Sequence, residues 1–122
     1  MKILVIDVGG THVKILATDQ TKKRRMESGP TLSAQQMVDG VKTLAEGWAY
    51  DAVSIGFPGV VKNNRPVAEP RNLGRGWVDF DYASAFGCPV KIVNDAAMQA
   101  LGSYRDGTLL FSTNRRGFRL DV

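Results

Sequence analysis

Apolar residues occur along the chain in short runs separated by glycine, proline and polar residues. Residues 2–8 contain four consecutive aliphatic side chains and end at Gly9 and Gly10, which predicts a buried strand followed by a tight turn. Residues 13–18 form a second β-rich run, and residues 22–27 form a polar third one. The three runs predict an antiparallel meander that ends before residue 30.

Helices and strands alternate in the rest of the pattern. Ser33 precedes apolar residues at helical spacing, which predicts an amphipathic helix to about Gly47. The proline and glycine content of residues 61–77 predicts an ordered loop of the kind that carries function. The other predicted elements are a strand at 52–57, a short helix at 79–86, a strand at 90–93, a helix at 96–104 and a strand at 109–112.

The predicted order βββαβαβα indicates the α/β class, with a mixed sheet flanked by helices on both faces. The 122 residues, 43% of them apolar and 23% charged, suit one globular domain. No apolar run approaches the ~20 residues that cross a bilayer. We therefore expect a cytoplasmic protein without a membrane partner.

The charge and the cysteine content limit the classes of partner and metal site that the sequence predicts. Sixteen Lys and Arg against twelve Asp and Glu give a net charge of +4, which favours anionic partners. The basic cluster at residues 22–25 is typical of a solvated edge strand. Nucleic-acid binding is not expected, since no aromatic residues interleave with the cluster and no recognition helix is present. The single cysteine gives no basis for a zinc site.

The first candidate for chemistry is the segment DVGGTHVK at residues 7–14. Glycines allow backbone N–H groups to approach phosphate oxygens, Thr11 adds a hydroxyl, and Asp7 can hold a hydrated Mg²⁺. The segment lacks the spacing of a Walker loop or a Rossmann fingerprint. A β-hairpin with two glycines explains it equally well.

The second candidate is the segment VKIVNDAAMQALG at residues 90–102, in which Asn94 and Asp95 stand between a strand and a helix. A carboxylate there can act as a general base toward a hydroxyl, and the asparagine can bind hydroxyl groups. An ordinary helix N-cap is the alternative. The segments FPG at 57–59 and NLGRGW at 72–77 offer polar groups and, in Trp77, an aromatic wall for a sugar-sized ligand.

The motifs IDVGGTHVKI, SIGFPGVV, NLGRGW and VKIVNDAAMQALG follow one another in an order that resembles the ROK family (repressor, open reading frame, kinase) of sugar kinases. Within it, the chain looks most like the polyphosphate glucokinases. The resemblance covers residues 1 to about 106 and implies the N-terminal lobe of an actin-like ATPase (ribonuclease H-like) fold. It implies a transferase that uses Mg²⁺ with ATP or polyphosphate to phosphorylate the 6-hydroxyl of glucose or a similar hexose.

The resemblance also implies residue roles. Asp95 matches the family's catalytic base. The phosphate-binding positions are Asp7, Gly9, Gly10, Thr11 and Lys14, with Asp7 holding the metal through water, and the sugar-binding positions are Gly59, Asn72, Asn94 and Asp95.

The sequence departs from the family pattern after Asp95. No GTGxG loop or Glu-x-Gly-His motif occurs there, and residues 112–122 form an atypical basic tail. We therefore expect a truncated kinase lobe at residues 1–111, with exposed surface that favours a homo-oligomer. A non-catalytic sugar- or phosphate-binding or assembly module is the alternative.

Overall fold

The computed structural model describes residues 1–95, and residues 96–122 lie outside the described part of the chain. The predicted final helix and strand, and the basic tail, belong to that second part. The described elements, in chain order, are β1 (Ile3–Val8), β2 (His12–Ala17), β3 (Arg24–Glu27), α1 (Ala34–Leu44), β4 (Ala52–Phe57), β5 (Val61–Lys62), β6 (Arg65–Pro66), α2 (Tyr82–Phe86) and β7 (Val90–Asn94).

Five of these strands form one mixed sheet in the order β3-β2-β1-β4-β7. The strands β1, β2 and β3 are antiparallel, which confirms the predicted meander. The strands β1, β4 and β7 run parallel to one another, as expected where helical segments connect them. The predicted α/β class with a mixed sheet is therefore confirmed.

The main core lies between one face of this sheet and the two described helices. Alternate strand residues point to this face, among them Leu4, Ile6, Ile15 and Ile55, and all are nearly inaccessible to solvent. Helix α1 contributes Met37, Val38 and Val41 to the same cluster. Both described helices therefore cover a single face, whereas the prediction of helices on both faces depends on residues 96–104, outside the described part.

A capping box begins α1. The Ser33 side chain accepts from the backbone N–H of Gln36, and the Gln36 side chain accepts from the backbone N–H of Ser33. The helix ends at Leu44, three residues earlier than predicted, and the Arg24 guanidinium donates to the carbonyls of Leu44 and Glu46. Among residues 1–95, no helix is long and apolar enough to span a membrane.

The predicted irregular segment contains a short hairpin, β5–β6, that the pattern analysis missed. Asn63 and Asn64 connect its strands with φ angles of 53° and 63°, the left-handed region that a two-residue hairpin turn requires. The Asn64 side chain donates to the carbonyl of Val90 at 2.8 Å and accepts from the N–H of Ile92 at 2.6 Å. This side chain therefore occupies backbone hydrogen-bonding groups of β7 that a neighbouring strand would otherwise use, and it fixes the hairpin against β7.

We expect Asn64→Gly to lower the free energy of unfolding by about 1–2 kcal/mol, since it removes both bonds while keeping a residue that accepts positive φ. Asn63→Gly is the matched control, because it changes the same backbone conformation without touching these bonds. Urea denaturation of both variants checks this. Equal stability of the two variants would mean that the Asn64 side chain does not stabilise the hairpin.

Candidate active site

The candidate residues gather at one edge of the sheet. Because β1, β4 and β7 are parallel, their carboxyl ends meet at the same edge. Asp7 lies near the end of β1, Phe57 ends β4, and Asn94 ends β7, with Asp95 directly after it. The topology thus brings together segments that are far apart in sequence, as ligand sites of parallel sheets require.

Asp7 and Asp95 interact electrostatically at this edge. Burial of the half-buried Asp7 carboxyl raises its pKa, and the Asp95 charge raises the pKa further. The nearby Lys14 and Lys23 act in the opposite direction, and Lys14 is the direct cross-strand partner of Asp7. Two carboxylates and two ammonium groups therefore lie near one another at this edge. Such a mixture of charges is suitable for binding an anion together with a cation.

Hydrogen bonds fix the connection between β1 and β2. The Gly9 N–H donates to the carbonyl of His12 at 2.9 Å. The Ser28 hydroxyl donates to the carbonyl of Gly9 at 2.7 Å, and the Ser28 N–H donates to the carbonyl of Thr11 at 3.0 Å. A Cβ at Gly9 would lie 3.0 Å from the His12 carbonyl oxygen, so glycine suits this tight approach. The hairpin interpretation of this segment is correct as to its shape, and its role toward phosphate stays a prediction.

A groove of about 480 Å³ opens beside the β1–β2 connection. It brings together Gly10, Gly59 and Asn72, three positions that come from three separate motifs. Its lining residues are Gly10, Phe57, Pro58, Gly59, Val60, Lys62, Val67, Ala68, Glu69, Pro70, Arg71 and Asn72. A concave site with apolar walls and a few polar groups is what a small polar ligand needs.

Asn94 connects the groove to the end of β7. Its side-chain N–H donates to the carbonyl of Gly59 at 2.5 Å. This bond holds the turn after β4 at a fixed position relative to Asp95, which directly follows Asn94 in the chain. Within the described residues the structure thus gives Asn94 a positioning contact, and its predicted contact with a sugar stays a prediction.

The loop on the far side of the groove is organised by Glu69. The two carboxylate oxygens of Glu69 accept from the backbone N–H groups of Trp77 and Val78, at 3.0 and 3.3 Å. The Trp77 ring is fully buried, and its Nε1 donates to the carbonyl of Leu32. Trp77 is therefore a core residue, and the expectation that it forms an aromatic wall of the ligand site is wrong.

Sequence reasoning missed Glu69, because a lone glutamate in a polar loop carries no pattern that marks it as a cap for two backbone amides. Phe57 lines the groove instead of Trp77, and the two rings pack with their centroids 5.8 Å apart. Trp77 thus supports the groove wall from behind.

The donor chemistry of the site fits a hydrated magnesium ion. Among residues 1–95 there is no group of three or more His, Cys, Asp or Glu side chains that could enclose a metal. Mg²⁺ commonly uses one or two carboxylates and completes its shell with water and substrate phosphates. Asp7, with the neighbouring Asp95, offers this kind of incomplete oxygen site.

We expect Asp7→Asn to raise the free energy of unfolding at pH 7. The pKa of Asp7 is raised on folding, so the stability that its proton provides is present at low pH and is lost as pH rises through the folded-state pKa. The asparagine amide does not ionise, so the variant avoids this loss of stability. Its advantage over the wild type in the free energy of unfolding should disappear below the unfolded-state pKa of about 3.9. Chemical denaturation as a function of pH measures it.

Asp79→Asn, at an exposed aspartate, is the control for Asp7→Asn and should leave the free energy of unfolding at pH 7 nearly unchanged. A lower stability of Asp7→Asn at pH 7, or an equal gain in both variants, would contradict the electrostatic description of the site.

We also expect Asp95→Asn to lower the pKa of Asp7 and Lys14→Gln to raise it, since the first removes a like charge and the second an opposite charge. Carboxyl-detected ¹³C NMR titration follows Asp7 directly. An unchanged pKa of Asp7 in Asp95→Asn would show that the two carboxylates do not share a site.

Comparison with known proteins places this geometry in a family. The sequence pattern of the ROK family matches residues 3–110. The chain is similar to the solved ROK family glucokinase from Streptomyces griseus in complex with glucose and AMPPNP, with 26% identity and a TM-score of 0.66 over 86% of this chain and 36% of that one. It is also similar to the ROK hexokinase from Thermus thermophilus, with 26% identity and a TM-score of 0.65 over 85% of this chain and 38% of that one.

The chain thus spans less than two fifths of the length of these two proteins. No curated protein matches it. Since the family pattern covers nearly the whole chain and the described fold agrees with solved ROK kinases, the chain belongs to the ROK family.

Proposed function

We propose that the chain carries the hexose-binding and proton-accepting part of a sugar kinase site. The reaction is transfer of a phosphoryl group from ATP or polyphosphate to the 6-hydroxyl of glucose or a similar hexose. The observation that carries the proposal is the groove at the carboxyl edge of the parallel strands, where Gly10, Gly59 and Asn72 meet and the Asn94 side chain donates to the carbonyl of Gly59. The similarity to a glucokinase solved with glucose and AMPPNP supports it.

The hexose occupies the groove between the β1–β2 connection and the loop around residue 70. Asn72 offers an exposed side-chain amide, and Gly59 offers a backbone position that a Cβ would crowd against Phe57 at 2.9 Å. An amide both donates to and accepts from sugar hydroxyls. The half-buried Pro58 offers apolar surface to the less polar side of the ring, whereas the Phe57 ring is 1% exposed and belongs to the core.

Asp95 acts as the general base. Its carboxylate takes the proton of the 6-hydroxyl, so that the hydroxyl oxygen can form the new bond to the terminal phosphorus of the donor. The bond from that phosphorus to the bridging oxygen of the donor breaks, and ADP or a polyphosphate shorter by one unit leaves. The Asn94–Gly59 hydrogen bond keeps the base at a fixed position relative to the hexose groove. Phosphoryl transfer depends mainly on such positioning, because the covalent work left to the protein is small.

Asp7, Gly9, Gly10, Thr11 and Lys14 face the phosphoryl group. The Lys14 ammonium offers positive charge to its oxygens. The β1–β2 connection offers backbone N–H groups in a fixed turn, except that of Gly9, which donates to the carbonyl of His12. Mg²⁺ supplies charge neutralisation when bound, and Asp7 would hold it through water. A cation there would also relieve the repulsion between Asp7 and Asp95.

We expect Asp95→Asn to lower the rate of glucose 6-phosphate formation by about 10²–10⁴-fold while hexose binding changes little, because an amide keeps the shape but cannot accept the proton. A coupled assay with Mg²⁺ and either ATP or polyphosphate measures the rate. Asp79→Asn, an exposed aspartate outside the groove and the carboxylate pair, is the control and should retain full activity.

Comparable turnover in Asp95→Asn and wild type would contradict the base assignment. Glucose binding by the folded wild-type chain with neither donor supporting turnover would instead identify a non-catalytic sugar-binding module. The donor that supports turnover distinguishes an ATP-dependent enzyme from the polyphosphate type.

A further inference from the structure

The groove carries two cationic side chains that the proposed phosphoryl transfer does not use. Lys62 lies on β5 and Arg71 lies next to Asn72, and both are exposed side chains that line the groove. Neither forms an ion pair with any residue of the described segment 1–95. Their charge is therefore available to a ligand in the groove.

The one carboxylate among the groove-lining residues is not available to form an ion pair with Lys62 or Arg71. Glu69 already accepts from the backbone N–H groups of Trp77 and Val78. Turning this carboxylate toward Lys62 or Arg71 would leave two amides of the loop without their partner, at a cost comparable to the bonds lost. Within residues 1–95, the groove therefore presents two cations without an ion-pair partner and one carboxylate that is already hydrogen-bonded.

Lys62 and Arg71 are also distinct from the cations that act on the proposed phosphoryl site. The positive charges that lower the pKa of Asp7 are those of Lys14 and Lys23. An anion held by Lys62 and Arg71 is thus a different group from the phosphoryl group beside Asp7. The groove volume of about 480 Å³ exceeds what a single hexose ring occupies and leaves room for this second group.

The walls of the groove restrict the form of such a ligand. Val60 and Val67 are 62% and 50% exposed, and a backbone hydrogen bond of 3.0 Å joins them at the base of the β5–β6 hairpin. They add apolar surface to the same lining that carries Lys62 and Arg71. A ligand with a ring and one anionic substituent matches this combination better than a free inorganic ion, which gains nothing from apolar contact.

We propose that the groove selects an anionic hexose derivative, in which a phosphate or carboxylate group remote from the accepting hydroxyl binds Lys62 and Arg71. This inference rests on the proposed function, since it deepens the substrate class of the same groove. Arg71 suits a bidentate contact with either anion, and Lys62 adds a point charge.

The test compares the affinities of glucose, glucose 1-phosphate and inorganic phosphate for the full chain by isothermal titration calorimetry at low ionic strength. We expect glucose 1-phosphate to bind about tenfold more tightly than glucose, and the gain to fall as salt is added. In the double variant Lys62→Gln/Arg71→Gln the gain should disappear while glucose affinity stays within about twofold. Lys22→Gln, which changes an exposed lysine outside the groove, should keep the gain.

Equal affinity for glucose and glucose 1-phosphate, or a gain that persists in the double variant, would overturn the inference. Glucose binding without the gain leaves the proposed kinase function intact, whereas loss of all sugar binding removes both. Inorganic phosphate that binds as tightly as glucose 1-phosphate would show that the anion is recognised without the sugar, which also overturns the inference.

Discussion

The parallel pairing of β1, β4 and β7 determines where every candidate site residue lies. Residue-by-residue registration sets Asp7 beside Gly56 and Phe57 beside Asn94. Three chain segments that follow these strands must therefore leave the sheet at the same edge. The groove, the Asn94–Gly59 bond and the carboxylate pair are all consequences of this arrangement, and the core beneath α1 keeps it in place.

The site is maintained at an electrostatic cost. Asp7 is half-buried next to another carboxylate, and its raised pKa records that the folded chain resists its ionisation. Lys14 and Lys23 offset part of this cost. Carboxylates with a raised pKa are frequent in functional sites, where stability is given up for chemistry.

Hydrophobic patterning predicted the sheet and helices well, because their buried faces repeat at regular spacing along the chain. Glycine-rich turns and polar residues after buried strands are local signals that marked the candidate motifs, but only the structure shows that these motifs meet at one edge of the sheet. The patterning failed where a single long-range contact decides the role of a residue. Trp77 is the kind of aromatic residue that often lines a sugar site. Its hydrogen bonds to the Leu32 carbonyl and the Glu69 carboxylate instead keep it in the core.

The hairpin β5–β6 shows the same limit. Its two-residue turn is encoded locally by Asn63 and Asn64, which accept positive φ, but its strands of two residues each are too short to give a periodic pattern. The bonds from Asn64 to β7 that fix its position join residues 26 and 28 positions apart. Only the three-dimensional structure shows that this hairpin borders the groove.

The most direct test of the account is to locate glucose on the chain by ¹H–¹⁵N chemical-shift perturbation. We expect the backbone amides that shift to cluster at residues 9–11, 57, 59–60, 69, 71–72 and 94–95, which are remote in sequence and meet only at the carboxyl edge of the parallel strands. Shifts confined to the basic residues 22–25, or to the opposite edge of the sheet, would contradict the assignment of this edge as the sugar site.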